Sequence, residues 1–134
     1  MSITVQNLTK TYGTQRAIDS LTFTINKGEI VGFLGPNGAG KSTTMKIITG
    51  FLSATEGSVE VEGLNVTEQP IEVKKRIGYL PEHNPLYVDM YVREYLDLMC
   101  SLYGIERKKL KSRVAEIIEL VGLSAEQHKK IGQL

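Results

Sequence analysis

The sequence predicts an α/β fold, and three observations predict it. Apolar and polar residues alternate over the first two dozen positions; a continuous apolar run then breaks into a glycine-rich loop and a helical period; and beyond Pro85 the period is helical throughout. The chain has 134 residues, 41% hydrophobic and 23% charged, enough to bury one core of ordinary domain size. Sixteen basic against fifteen acidic residues leave a formal net charge of +1, so there is no broad field to attract nucleic acid or an anionic membrane. Cys100 is the single cysteine, which excludes an internal disulfide and fits a reducing compartment. The start Met1-Ser2-Ile3-Thr4-Val5 lacks the marks of a secretion signal, and no apolar run approaches the ~20 residues of a membrane span. The expectation is a soluble, intracellular protein.

Ile3, Val5 and, after a slip, Leu8 carry the first alternation, which ends at the turn-forming Tyr12-Gly13 and reads as a half-buried strand. Leu21, Phe23 and Ile25 carry a second, stopped at Asn26-Lys27-Gly28. Ile30-Val31-Gly32-Phe33-Leu34 follows without alternation, the pattern of a strand covered on both faces. Two sheets are therefore expected, one antiparallel and half-solvated, the other buried. Met45, Ile48 and Leu52 then recur at near-helical spacing, with Gly50 placed to stop the helix. Gly57 to Val66 alternates through Val59 and Val61 with a turn at Glu62-Gly63, and Ile77-Gly78-Tyr79-Leu80 reads as a short strand halted by Pro81. Val92, Tyr95, Leu96, Met99 and Leu102 share one helical face, and Leu110, Val114, Ile117, Ile118 and Val121 another, with Gly104 between the helices and Gly122 ending the second. Leu123 to Leu134 is polar and without clear pattern.

Between the apolar run and the first helix, Gly35-Pro36-Asn37-Gly38-Ala39-Gly40-Lys41-Ser42 matches G-x-x-x-x-G-K-[ST] in the context that the motif requires. Gly35, Gly38 and Gly40 let the backbone approach a chain of phosphates, because no Cβ intervenes and positive φ costs glycine little. Backbone N–H groups at a helix start then face the anion, where unpaired donors and the helix dipole both favour it. Lys41 supplies a point charge for the β and γ phosphates, Ser42 an oxygen for Mg²⁺, and Thr43 a donor for the α phosphate. A glycine-rich turn capping a helix beside an exposed lysine is the plainer alternative.

A phosphate cradle alone does not distinguish GTPases, kinases and ATPases. The strand pattern that precedes it does. Asn7-Leu8-Thr9-Lys10-Thr11-Tyr12-Gly13, Pro36 to Thr43, Thr55-Glu56-Gly57-Ser58-Val59 and Ile77-Gly78-Tyr79-Leu80-Pro81 together make the whole chain resemble the first part of the ATP-binding subunits of ABC transporters. The resemblance implies a P-loop NTPase fold of ABC type: an antiparallel β subdomain with the Walker A part of a RecA-like core over residues 1–85, and the start of a helical subdomain over 86–134. It implies ATP and Mg²⁺ as ligands, with Tyr12 stacked on adenine and Arg16 and Ala17 flanking the base. It also implies a dimer of nucleotide-binding subunits, identical or not, on a separate transmembrane subunit, at the cytoplasmic face of the membrane. No nucleic acid is expected.

Two departures from the family pattern stand out. Glu82 occupies the place of the usual Q-loop glutamine, where it can reach Mg²⁺ or orient water while adding charge, or can simply be a solvated loop residue. The Ser-Gly-Gly-Gln signature, the strand ending in Asp-Glu and the switch histidine have no counterpart, and Ile131-Gly132-Gln133-Leu134 looks like the run into the signature. The expectation is a subunit truncated before that motif, one that binds ATP with little hydrolysis, the intact protein being an ATPase of export type similar to gliding-motility transporter subunits. A soluble ABC ATPase of repair or translation, and a small P-loop kinase, are the rival readings. Tyr87 and its neighbours suit a groove for the membrane partner; Tyr95 and Met99 read as core, and Cys100 as a buried thiol. His83 and His128 lack partners at metal spacing, and the basic residues from Arg107 to Arg113 read as a solvated face.

Overall fold

Asn7 is where the first strand breaks step. In the computed structural model, which describes residues 1–134, the backbone there turns to φ 47°, and the register of β1 (Ile3–Tyr12) against β2 (Gln15–Ile25) shifts between Val5 and Leu8. The extra residue is a β-bulge, and it is the slip visible in the alternation. Its backbone N–H donates to Thr22 Oγ1 at 2.9 Å, so the interrupted ladder is repaired by a side chain. A second irregularity falls at Ser20, φ 46°, and a third leaves Ala17 unpaired between Ile18, opposite Lys10, and Arg16, opposite Thr11.

Two compact units, Met1–Tyr79 and Leu80–Leu134, make up the chain. In the first, β3 (Glu56–Val61) and β4 (Leu64–Asn65) complete an antiparallel sheet of order β2-β1-β3-β4. The β3–β4 connection has Glu62 at φ 52° and Gly63 at φ 76°, the pair of positive angles that a two-residue hairpin turn requires. Helix α1 (Lys41–Ile48) lays Thr44, Ile47 and Ile48 on a core of Val5, Leu8, Val59 and Val61. Burying each of those isoleucines contributes about 1.5–3 kcal/mol. Met45, expected on that face, is instead 41% exposed.

Helix α1 ends as Gly50 foretells. Gly50, φ 67°, donates to the Ile47 carbonyl at 3.0 Å, and Phe51 to that of Lys46 at 2.8 Å, the two bonds of a Schellman motif. A short helix the sequence reading omits, α2 (Pro70–Lys74), follows β4 and buries Val73. Proline at its start is the available signal, since its missing N–H is lost at no cost there.

The expected buried strand does not form. Residues 30–34 pair with no strand; Ile30 and Leu34 are fully or almost fully exposed, and only the Phe33 ring finds a partner, Phe23 at 5.7 Å. Residues 77–80 are likewise unpaired, with Leu80 exposed. A strand covered on both faces needs flanking strands and overlying helices, and the four strands of the sheet supply neither.

In the second unit α3 (Val92–Leu102) and α4 (Arg107–Leu120) pack through Leu96 and Cys100 against Leu110, Val114 and Ile118. The buried stripe on α3 therefore runs Val92, Leu96, Cys100 at four-residue steps, and Leu102, some 120° round the helix from it, is 71% exposed. Gly104 and Gly122, φ 71° and 70°, close both helices with the same double bond pattern seen at Gly50. The segment after Leu123, patternless in sequence, folds back: the Val92 and Arg93 N–H groups donate to the Lys129 and Gln127 carbonyls at 3.0 and 3.3 Å. The start of α3 is thus capped by main chain. The Arg93 guanidinium donates to the Gln127 side chain at 3.0 Å, and a 3₁₀ turn at Ile131–Gln133 ends the chain's ordered elements.

Candidate functional site: a phosphate cradle

The cradle starts where Gly40 caps α1. Gly40 stands at φ 82° and Gly38 at φ 83°, while Gly35 has no positive φ, and a Cβ there would meet only ordinary contacts at 3.5 Å or more. Two of the three glycines therefore supply conformational freedom. Within the loop, Ala39 N–H donates to the Pro36 carbonyl at 3.2 Å, and Thr44 N–H closes the first helical turn on the Gly40 carbonyl at 2.8 Å. The N–H groups of Gly38, Gly40, Lys41, Ser42 and Thr43 have no acceptor within the protein. Asn37 and Ala39, like most of the loop, are solvent-exposed. Unpaired donors at a helix start favour an anion.

The Lys41 ammonium donates to the Gly35 and Pro36 carbonyls, 2.7 Å to each. Those bonds fold the side chain back across the loop and use two of its three donors, leaving the third for a phosphate oxygen. Ser42 is exposed and its hydroxyl makes no bond to protein, a donor set that fits a hard cation held mainly by nucleotide oxygens and water. Thr43 is half-buried beside it. Thr44, which the sequence reading passes over, is 1% exposed and anchors the turn by donating its hydroxyl to the Gly40 carbonyl at 2.9 Å.

Of the residues expected at the base, Ala17 meets the cradle directly: its carbonyl lies against Gly40, on the bulge between Arg16 and Ile18. Arg16 turns its guanidinium to Asp19, 2.8 Å away, with both side chains more than half exposed. Tyr12 ends β1 opposite Gln15, is 49% exposed, and has the Lys10 ammonium 5.2 Å from its ring centre. No motif marks Lys10 as a site residue; the available signal is its position two residues before Tyr12, on the same face of the strand. Glu82 belongs to the second unit and is exposed. Just before the exposed 30–34 segment, Asn26 donates its backbone and side-chain N–H groups to Glu29, at 2.7 and 3.1 Å, holding that carboxyl below its ordinary range.

Fold and cradle together define a P-loop nucleotide-binding protein. Residues 18–134 match the family described as ABC transporter, and the chain belongs to that family. It is 37% identical over 131 residues to the bacitracin transport ATP-binding protein BcrA of Bacillus licheniformis, a match covering 98% of this chain and 42% of that protein. It is 36% identical over 126 residues to the linearmycin resistance ATP-binding protein LnrL of Bacillus subtilis, covering 94% of this chain and 40% of the relative. A solved ATP-binding subunit of an ABC transporter superposes with a TM-score of 0.83 at 28% identity, over 97% of this chain and 54% of the other. The chain thus spans less than half the length of these two curated relatives. The kinase reading and the repair or translation reading find no support in these matches.

Proposed function

We propose that this chain holds the triphosphate of Mg-ATP in the cradle from Gly35 to Thr43 and forms the ATP-binding half of the site in an ABC transporter subunit. One observation carries the reading: five backbone N–H groups without a protein acceptor sit at the start of α1 beside the Lys41 ammonium, a donor set matched to phosphate oxygens. Lys41 balances charge on the β and γ phosphates, Ser42 takes a position on Mg²⁺, and Thr43 donates to the α phosphate. Tyr12 stacks on the adenine with Arg16 and Ala17 at its edge, and Glu82 reaches Mg²⁺ or orients water. Residues 1–85 serve as β subdomain and Walker A core and 86–134 as the opening of the helical subdomain.

In the whole subunit, ATP drives dimerisation and its hydrolysis moves a separate transmembrane partner, the ATP-binding subunits lying at the cytoplasmic face of the membrane. No helix of this chain is long and apolar enough to cross a membrane, which suits a partner that supplies the span. The likeness of Tyr79-Leu80-Pro81-Glu82-His83-Asn84 and the short helices after it to export-type subunits supports a lean to export. The test is calorimetric titration with ATP in the presence and absence of Mg²⁺, on the wild-type chain and on Lys41→Ala. Saturable one-site binding, weakened at least tenfold by the substitution, is expected. Equal affinities for the two chains would sink the reading.

A further inference from the structure

We infer that Lys10 is a positioning residue for the Tyr12 ring, and through it for the base of the nucleotide; the inference rests on the reading of Tyr12 as a stacking surface. The Lys10 ammonium lies 5.2 Å from the ring centre, within the range where a cation is attracted to the negative face of an aromatic ring. The same ammonium donates to the Ser53 carbonyl at 2.8 Å. That second bond matters because an unrestrained lysine carries much rotamer freedom and fixes nothing, whereas an anchored one holds its charge in place.

The anchor belongs to a larger tie. Thr55 N–H donates to the Thr9 carbonyl at 2.9 Å and Thr11 N–H donates to Thr55 Oγ1 at 3.1 Å, so residues 53–55 hold residues 9–11 by bonds on either side of the Lys10 contact. Those residues continue from α1 through the Gly50 stop. One chain segment thus begins as the phosphate cradle and ends as the support of the aromatic residue. With the cation on one face, the half-exposed ring offers its other face to a base. A lysine held this way acts on the base and leaves the triphosphate alone.

The experiment measures dissociation constants for ATP and for inorganic triphosphate with wild type, Lys10→Met, Lys10→Arg, Tyr12→Ala and the Lys10→Met/Tyr12→Ala double variant. Lys10→Met is expected to weaken ATP about two- to fivefold, the scale of an exposed cation–π contact, and to leave triphosphate unchanged. Lys10→Arg keeps the charge and is expected to stay near wild type. In the Tyr12→Ala background the methionine substitution is expected to do nothing further. Unchanged or tighter ATP binding by Lys10→Met, an equal loss for triphosphate, or full additivity in the double variant would each overturn the assignment. The triphosphate affinity also reports whether each variant is folded. Wild-type ATP affinity in Tyr12→Ala alone would overturn the reading of Tyr12, and the Lys10 role with it; a loss there without one in Lys10→Met overturns only the Lys10 role.

Discussion

The carbonyl of Ala17 occupies the space that a Cβ on Gly40 would require, and Ile18 Cγ1 stands 3.1 Å from the same point. The bulge in β2 is therefore packed against the residue that starts α1, and Gly40 is held there by two constraints at once, a left-handed φ of 82° and a closed approach. Gly38 has the same φ but open space around it. Gly40→Ala must push β2 away or unwind the first helical turn, whereas Gly38→Ala carries backbone strain alone. The expected costs are about 2–4 kcal/mol for Gly40→Ala and about 1 kcal/mol for Gly38→Ala. Thermal melts of the two variants give the order, and the reverse order would refute the packing argument.

Gly57 is constrained in the same way, in β3 rather than in the loop before α1. It stands at φ 83° where β1 bulges at Asn7, and a Cβ would overlap the carbonyl oxygens of Gln6 and Asn7. Gly57→Ala is expected to destabilise the chain by about 2 kcal/mol or more and to lower the melting temperature by several degrees. Once the protein is folded, its affinity for ATP should be close to wild type. A variant that melts like wild type would show that the two strands can part without loss.

How much of this was legible follows from what kind of force holds each piece. The slip between Val5 and Leu8, the hairpin at Glu62-Gly63 and the stops at Gly50 and Gly122 were readable because local backbone geometry selects those residues. The loop before α1 was readable for the same reason, since Gly38 and Gly40 stand at positive φ, which glycine adopts at little cost. The run Ile30 to Leu34 misled because its pattern describes burial among neighbours that the strands of this sheet do not provide. The capping of α3 by the Gln127 and Lys129 carbonyls left no trace, because a main-chain acceptor is the same for every residue type. Lys10 escaped because its role depends on Ser53, 43 positions away.

Glu62 gives the first unit a small pH-dependent contribution to stability. Arg76 Nη1 donates to its carboxylate at 2.9 Å and the N-terminal ammonium lies 3.7 Å away, which together hold that carboxyl below its ordinary value. A carboxyl with a lowered folded pKa adds stability that is present above the unfolded value and disappears as the pH falls through the folded one. The arrangement is solvent-exposed, so the contribution is small and sensitive to salt. Glu62→Gln is therefore expected to melt slightly below wild type at pH 7, with the gap closing as the pH falls through the lowered pKa. A difference that grows on acidification has the wrong sign for this ion pair.

Binding and hydrolysis make different demands on the cradle. Phosphoryl transfer needs a positioned water and stabilisation of charge developing on the γ phosphate, and binding of the ground state supplies neither by itself. The chain's own candidates are Lys41, whose ammonium donates to the Gly35 and Pro36 carbonyls, and Glu82, an exposed carboxylate on a loop with no hydrogen-bond partner to orient it. An unoriented carboxylate contributes little to water activation, so the 134-residue chain is expected to bind ATP and release phosphate no faster than Lys41→Ala. Phosphate release is followed under saturating Mg-ATP for wild type, Lys41→Ala and Glu82→Gln. Three superimposable traces are expected. Steady turnover by wild type that either substitution abolishes would mean that this chain alone assembles a working hydrolytic site.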